Sequence, residues 1–427
     1  MMEKLMMGKE SKGNYMATAL LTGIFTLPSG TYTPLYVLVY LLLLLSFTVL
    51  VYWQTRKASH NSLLDLKNQH PAVFYLLLLF AVSSFISWLS MLFSNDASYA
   101  QKVLGSYRYA IYWLVAFYSF MLLRLCVIYE LSHETLYKAL VLGVCFLTLL
   151  FLASYMFHDA PNAARWNTEP PFTGNIRIAG MLAAVGVVIS IVAVCLSDYC
   201  SRKVALFYIA LFICSTFLVW TGSRMSLIAC WLTIFLLLTF GRAWGHTTWK
   251  NVIAIVALLA LSLPVAESLS LSWGGVHRVV GITQKSLVAE NTLDAFSNNR
   301  LDVWKSALNA VADKPLFGHA PFGYFFVDDG VARANGHTHN LFLELLIEWG
   351  VIGAGLFTLF LLTLAVIGMK QLKYRFLQED TAWLMSASIV FLLSIIAMAD
   401  GTYFVLTTVF ILATAFVSFP LLETKRK

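Results

Sequence analysis

Long apolar runs separated by short polar breaks dominate this chain. A helix rising ~1.5 Å per residue needs roughly 17 to 25 residues to cross ~30 Å of hydrocarbon. Runs of that length predict about twelve spans, at 15–31, 34–53, 71–93, 107–125, 137–156, 175–198, 204–221, 224–241, 251–268, 349–369, 382–399 and 403–421. The expected fold is an all-α polytopic membrane protein. Composition agrees, since 59% hydrophobic residues, 12% charged residues and a mean hydropathy of +0.76 exclude a soluble domain of 427 residues. Three regions follow: 1–268 with nine spans, a long extramembrane loop at 269–348, and 349–427 with three spans and a tail.

Charge adds orientation. With a cytoplasmic N-terminus, 18 of the 29 lysines and arginines lie inside, and six of the other 11 sit in the long loop, where the positive-inside bias is weak. Both termini are therefore expected in the cytoplasm and the long loop outside, with the first apolar run kept as an uncleaved span. The net charge of +7 is mostly this topology signal plus attraction to anionic lipid, and it gives no case for nucleic acid as a partner. The six cysteines fall in spans or on the inner side, so no disulfide framework or thiolate metal site is expected. Span centres are nearly free of ionisable residues, which disfavours a pump or proton-coupled transporter.

Polar chemistry gathers on the outer side. Leu301, Trp304, Leu308 and Val311 recur at helical spacing between the cap candidates Ser297, Asn298 and Asn299 and the stop at Lys314 and Pro315, predicting a helix over 298–312. Arg300 stands in its first turn, where free N–H groups already favour an anion. Thr221, Gly222 and Ser223 form a predicted turn that sets Arg224 at the start of the eighth span, and Arg177 opens the sixth on the same side. Three arginines at outer helix mouths fit a multiply charged anion, although a solvated Arg300 and a snorkelling Arg177 fit as well.

The segment His337-Thr338-His339-Asn340 precedes an apolar run. A single helix from 339 to 369 would span ~46 Å, so its first turns would project above the membrane and set Trp349 at the interface. His339 at that helix start fits two roles, a cap or packing residue and a proton acceptor near neutral pH. Glu344 and Glu348, one turn apart, fit either orienting a histidine or arginine or keeping the projecting end wet, and Asp400 is a weaker candidate of the same kind. His319 belongs to a turn. His337 and His339 have no third ligand at a recognisable spacing, and no phosphate loop, serine elbow, dinucleotide fingerprint or paired-aspartate motif is present. A glycosyl transfer would then need a donor that leaves without metal help, such as a lipid pyrophosphate neutralised by arginines.

His339-Asn340, nine residues, then Gly350-Val351-Ile352-Gly353 resembles a pattern of the O-antigen ligases and their superfamily, which includes O-antigen polymerases and protein O-oligosaccharyltransferases. Asn299-Arg300-Leu301-Asp302-Val303-Trp304, Pro315-Leu316-Phe317-Gly318, Gly323-Tyr324 and Thr221-Gly222-Ser223-Arg224 resemble further parts of it. The chain departs from the family pattern at His319, and Arg177 matches loosely. The resemblance implies a GT-C-like bundle in the bacterial inner membrane with a periplasmic site, using no cofactor and no metal. It implies inverting transfer of a glycan from undecaprenyl pyrophosphate to a lipid A-core hydroxyl in lipopolysaccharide biosynthesis. His339 would be the catalytic base, Arg224, Arg300 and Arg177 would bind pyrophosphate, and His337, Asn340 and Glu344 would support them. A polymerase or protein O-oligosaccharyltransferase is the alternative within the superfamily, and a polysaccharide or lipid permease the alternative outside it.

Overall fold

The computed structural model describes residues 67–129, 133–158, 175–196, 202–243, 247–270, 300–327, 330–335, 337–378 and 380–400, with short pieces at 45–46, 49, 173, 245, 275–276, 411–412 and 415. The expected spans 15–31, 34–53 and 403–421 fall almost wholly outside these residues. So do the three cap candidates of the loop helix.

Among the described residues the chain is helical, without strands. In order come α1 (Pro71–Phe93), α2 (Tyr99–Tyr129), α3 (His133–Phe157), α4 (Ile176–Leu196), α5 (Arg202–Thr221), α6 (Arg224–Ala243) and α7 (Trp249–Leu269). Then follow α8 (Arg300–Asp313), a 3-10 turn (Gly323–Phe326), α9 (Gly330–Asn335), α10 (Leu341–Leu377) and α11 (Thr381–Ala397). Seven of these are long and apolar enough to cross a membrane. The apolar runs located six of them to within a few residues, whereas Leu341–Leu377 extends eight residues beyond the expected 349–369 at each end; Pro71 starts α1 where a missing N–H costs no helical hydrogen bond.

Helix α4 is the axis of the bundle, packing on α3, α5, α6 and α11. Every residue of it is buried except Arg177 and Leu196. An apolar helix enclosed by other helices cannot hide a charge along its length, so its one arginine stands at its end. Two glycines let neighbours approach it. A Cβ on Gly186 would lie 2.6 Å from Cys214 Sγ, and one on Gly180 would lie 2.6 Å from Ser223 Cβ and 2.9 Å from Thr221 Oγ1. The second contact seats the turn before α6 against the first turns of α4, bringing Arg224 to Arg177. Gly180→Leu is expected to separate the two arginines and, if they hold an anion together, to weaken pyrophosphate binding about tenfold or more, as loss of a charge-assisted contact would; a pyrophosphate titration on the folded variant checks this.

Helix α10 departs from the single rod expected of its sequence. Gly350 takes φ 63, ψ −174, so a short helix of residues 341–349 is followed by a separate long one. The break frees carbonyls above and N–H groups below it, and one loop satisfies both sets. His319 N donates to Ile347 O (2.6 Å) and Ala320 N to Glu348 O (3.0 Å), while Val351 N donates to Pro315 O (2.8 Å) and Ile352 N to Leu316 O (3.4 Å). Gly318, at φ 71, completes the fit, because a Cβ there would lie 2.4 Å from Ile347 O. Trp349 is 3% exposed and packs against Phe80, Tyr109 and Tyr112, so it is a core residue and not the interfacial anchor expected.

The predicted loop helix exists as α8, and it packs on α9 and α10. Val303, Ala307, Tyr324, Ala332 and Ile347 form a small core between them. Tyr324 is fully buried there, its hydroxyl donating to Val303 O and reaching Ser306 Oγ at 3.1 Å. His319 lies in the turn expected of it, with Nε2 donating to Ala310 O at 2.8 Å.

Candidate functional site

The ends of four helices and one loop meet at a single charged cluster. His339 is in the left-handed region at φ 54, a conformation that costs a non-glycine residue on the order of 1–3 kcal/mol unless its surroundings enforce it. They do so from three sides. Thr338 N donates to Glu344 Oε2 (2.9 Å), Thr338 O accepts from Trp304 Nε1 (3.1 Å), and Thr338 Oγ1 donates to Asn340 O (2.8 Å). Asn340 caps α10 by accepting from Leu343 N (3.2 Å) and donates through Nδ2 to Met398 O (3.1 Å). The histidine loop is thus tied to α8, α10 and the end of α11.

Against the His339 ring stand Arg177 and Asp400. Nδ1 of His339 lies 3.5 Å from Asp400 Oδ1 and 3.5 Å from Arg177 NH1, and Arg177 NH1 lies 3.4 Å from the same Asp400 oxygen. Asp400, a weaker candidate by sequence than Glu344 and Glu348, is therefore the acidic partner of the histidine. Burial alone would raise its carboxyl, but the hydrogen bond from His339, the charge of Arg177 and, less strongly, that of Arg300 hold it below the usual aspartate value. Arg300 opens α8 and feels both Asp400 and the two other arginines; burial and their repulsion lower it from the usual arginine value against the pull of Asp400. Arg224 opens α6 after a turn in which Gly222 takes φ 58. The structure brings together His339, Arg177, Arg224 and Arg300, all proposed from sequence, and sets Asp400, a weaker sequence candidate, against His339 and Arg177.

His337 faces His339 with ring centroids 3.9 Å apart, and its Nδ1 accepts from His339 N at 3.4 Å. Burial, then the charge of His339, pushes its pKa down to about 3, so it is neutral at physiological pH. A group depressed on folding stabilises the fold above its unfolded value, about 6.5 for histidine, and that contribution is lost as pH falls toward about 3. The melting temperature in detergent is accordingly expected to fall between these pH values, and less steeply in His337→Gln. An unchanged slope in that variant would exclude His337 as a source.

Of the two readings of Glu344 and Glu348, burial removes the wet helix end. They are 3% and 2% exposed. Glu348 accepts from Tyr112 Oη (2.9 Å) and Phe322 N (3.2 Å) and lies 3.6 Å from Arg108 Nε. Neither Arg108 nor Tyr112 was a candidate from sequence; the signal available was an arginine at the edge of an otherwise apolar run.

Such a site can hold a multiply charged anion on three guanidinium groups and accept a proton on an imidazole backed by a carboxylate. No curated protein sequence matches the chain. Residues 209–358, which carry Arg224, Arg300, His339 and Gly350 but neither Arg177 nor Asp400, match the model of the O-antigen ligase family, a match consistent with the O-antigen ligase superfamily.

Proposed function

We propose that this membrane protein transfers a glycan from undecaprenyl pyrophosphate to a sugar hydroxyl of lipid A-core, at the periplasmic face of the bacterial inner membrane. The family match supports a general role in O-antigen-related glycan transfer. The observation that supports the chemistry is the meeting of His339, Asp400 and Arg177 within 3.5 Å, beside two further arginines at helix starts.

In this reading Asp400 accepts a hydrogen bond from Nδ1–H of His339, which fixes the tautomer and leaves the Nε2 lone pair for the acceptor hydroxyl. The hydroxyl oxygen attacks the anomeric carbon from the face opposite the pyrophosphate, and its proton passes to Nε2. The bond from the anomeric carbon to the pyrophosphate oxygen breaks with inversion. Arg177, Arg224 and Arg300 stabilise the negative charge that grows on the leaving group, and Asp400 stabilises the imidazolium. Asn340, Glu344 and His337 hold the histidine loop. The energy comes from the donor bond.

Removing one charge-assisted contact to a phosphate is worth about 1.5–3 kcal/mol. Arg224→Ala and Arg300→Ala are each expected to weaken donor binding by about 10–100-fold on that basis. Titration of undecaprenyl pyrophosphate against the purified variants measures it, and wild-type affinity in both would remove the arginines from the donor site.

A further inference from the structure

The short helix 341–349 carries the histidine loop at its start and is severed from the rest of α10 by Gly350, so something other than helix continuity must fix it. Glu348 does so with both backbone and side chain. Its carbonyl accepts from Ser87 Oγ of α1 (2.9 Å) and Ala320 N (3.0 Å), and its carboxylate accepts from Tyr112 Oη and Phe322 N and faces Arg108. Arg108 Nε also donates to Tyr112 Oη (2.8 Å), and its guanidinium lies over the Phe322 ring, 4.6 Å from the centroid. Ala320 and Phe322 hold φ 66 and φ 63, left-handed values for residues with side chains, and Glu348 binds the N–H of each.

A buried ion pair is a poor source of net stability, because desolvation of the charges offsets their attraction. An apolar core already surrounds Trp349 next to it. What the pair adds is a fixed position. Glu344 stands one turn before Glu348 on the same helix face and holds Thr338 N, the residue before His339.

We propose that Arg108 and Glu348 are a positioning pair for His339: anchored to α2, they set the short helix whose next turn, through Glu344 and Thr338 N, aims the histidine. This rests on His339 being the base. The donor arginines Arg177 and Arg224 stand at the starts of α4 and α6, and neither takes part in the bonds of Glu348 and Arg108 given above.

The test uses full-length Glu348→Gln, Arg108→Gln and the double variant, assayed for transfer from lipid-linked glycan to lipid A-core and for amide hydrogen exchange over residues 337–343. Each single variant is expected to lower kcat about tenfold or more with donor KM within about twofold of wild type, and exchange over 337–343 should accelerate. The double variant should lose about as much kcat as either single, since each single already removes the same pair. A rise in donor KM matching the fall in kcat, a double variant worse than either single, or unchanged exchange would each overturn the positioning pair. Faster exchange with unchanged kcat would instead overturn His339 as the base, leaving the mechanical link standing.

Discussion

His339→Asn is expected to lose glycan transfer by about 10²–10⁴-fold, the range a general base contributes, while still binding undecaprenyl pyrophosphate. Asparagine is the informative substitution because it tolerates the left-handed backbone that position 339 requires, φ 54. It also has no nitrogen able to take a proton near neutral pH. The loop bonds at Thr338 and Asn340 do not involve the His339 side chain, so the variant should fold and melt like wild type. Asp400→Asn should show a smaller loss, about 10²-fold as the lower end of that range, because the imidazole remains but its imidazolium loses the carboxylate 3.5 Å away. Single-turnover transfer with saturating donor checks both variants. Retained transfer in His339→Asn would leave this histidine with only its structural role.

Gly350→Ala should produce the largest loss of stability. The left-handed conformation alone costs an alanine there about 1–3 kcal/mol. A Cβ at 350 would also lie 2.2 Å from Leu316 O and 2.3 Å from Leu316 C, both backbone atoms of the loop that satisfies the helix break. That loop cannot withdraw without giving up the four hydrogen bonds it makes across the break. The expected result is a lower melting temperature in detergent together with loss of transfer, because the position of helix 341–349 sets His339. Gly355→Ala, where a Cβ meets nothing within 4 Å, is the matched control and should melt at least as high as wild type.

Much of the fold was legible from the sequence because hydropathy reports burial and length directly. The start of α1 at Pro71 and that of α6 at Arg224 coincide with the apolar runs. The break at Gly350 was hidden because the apolar run continues through it, and a reversal of φ leaves no trace in hydrophobic periodicity. The same concealment misplaced Trp349 and left two readings open for the two glutamates. A tryptophan and two carboxylates at the start of an apolar helix suit a water interface, and only the packing of α1, α2 and the Pro315–Phe322 loop around them makes the place a core. In the site, the arginines and His339 were visible as polar residues at helix mouths. Asp400 was weak because its partner Arg177 lies 223 residues away in sequence, a pairing that no local pattern encodes.

The most direct test of the account is reconstitution of the purified protein in liposomes with undecaprenyl-pyrophosphate-linked glycan and lipid A-core, following where the glycan goes in wild type and His339→Asn. The account predicts glycan covalently joined to lipid A-core and free undecaprenyl pyrophosphate from the wild type, with neither from the variant. Longer lipid-linked chains with no product on lipid A-core would contradict the proposed acceptor, and glycan moved across the bilayer without any new covalent bond would contradict transfer itself.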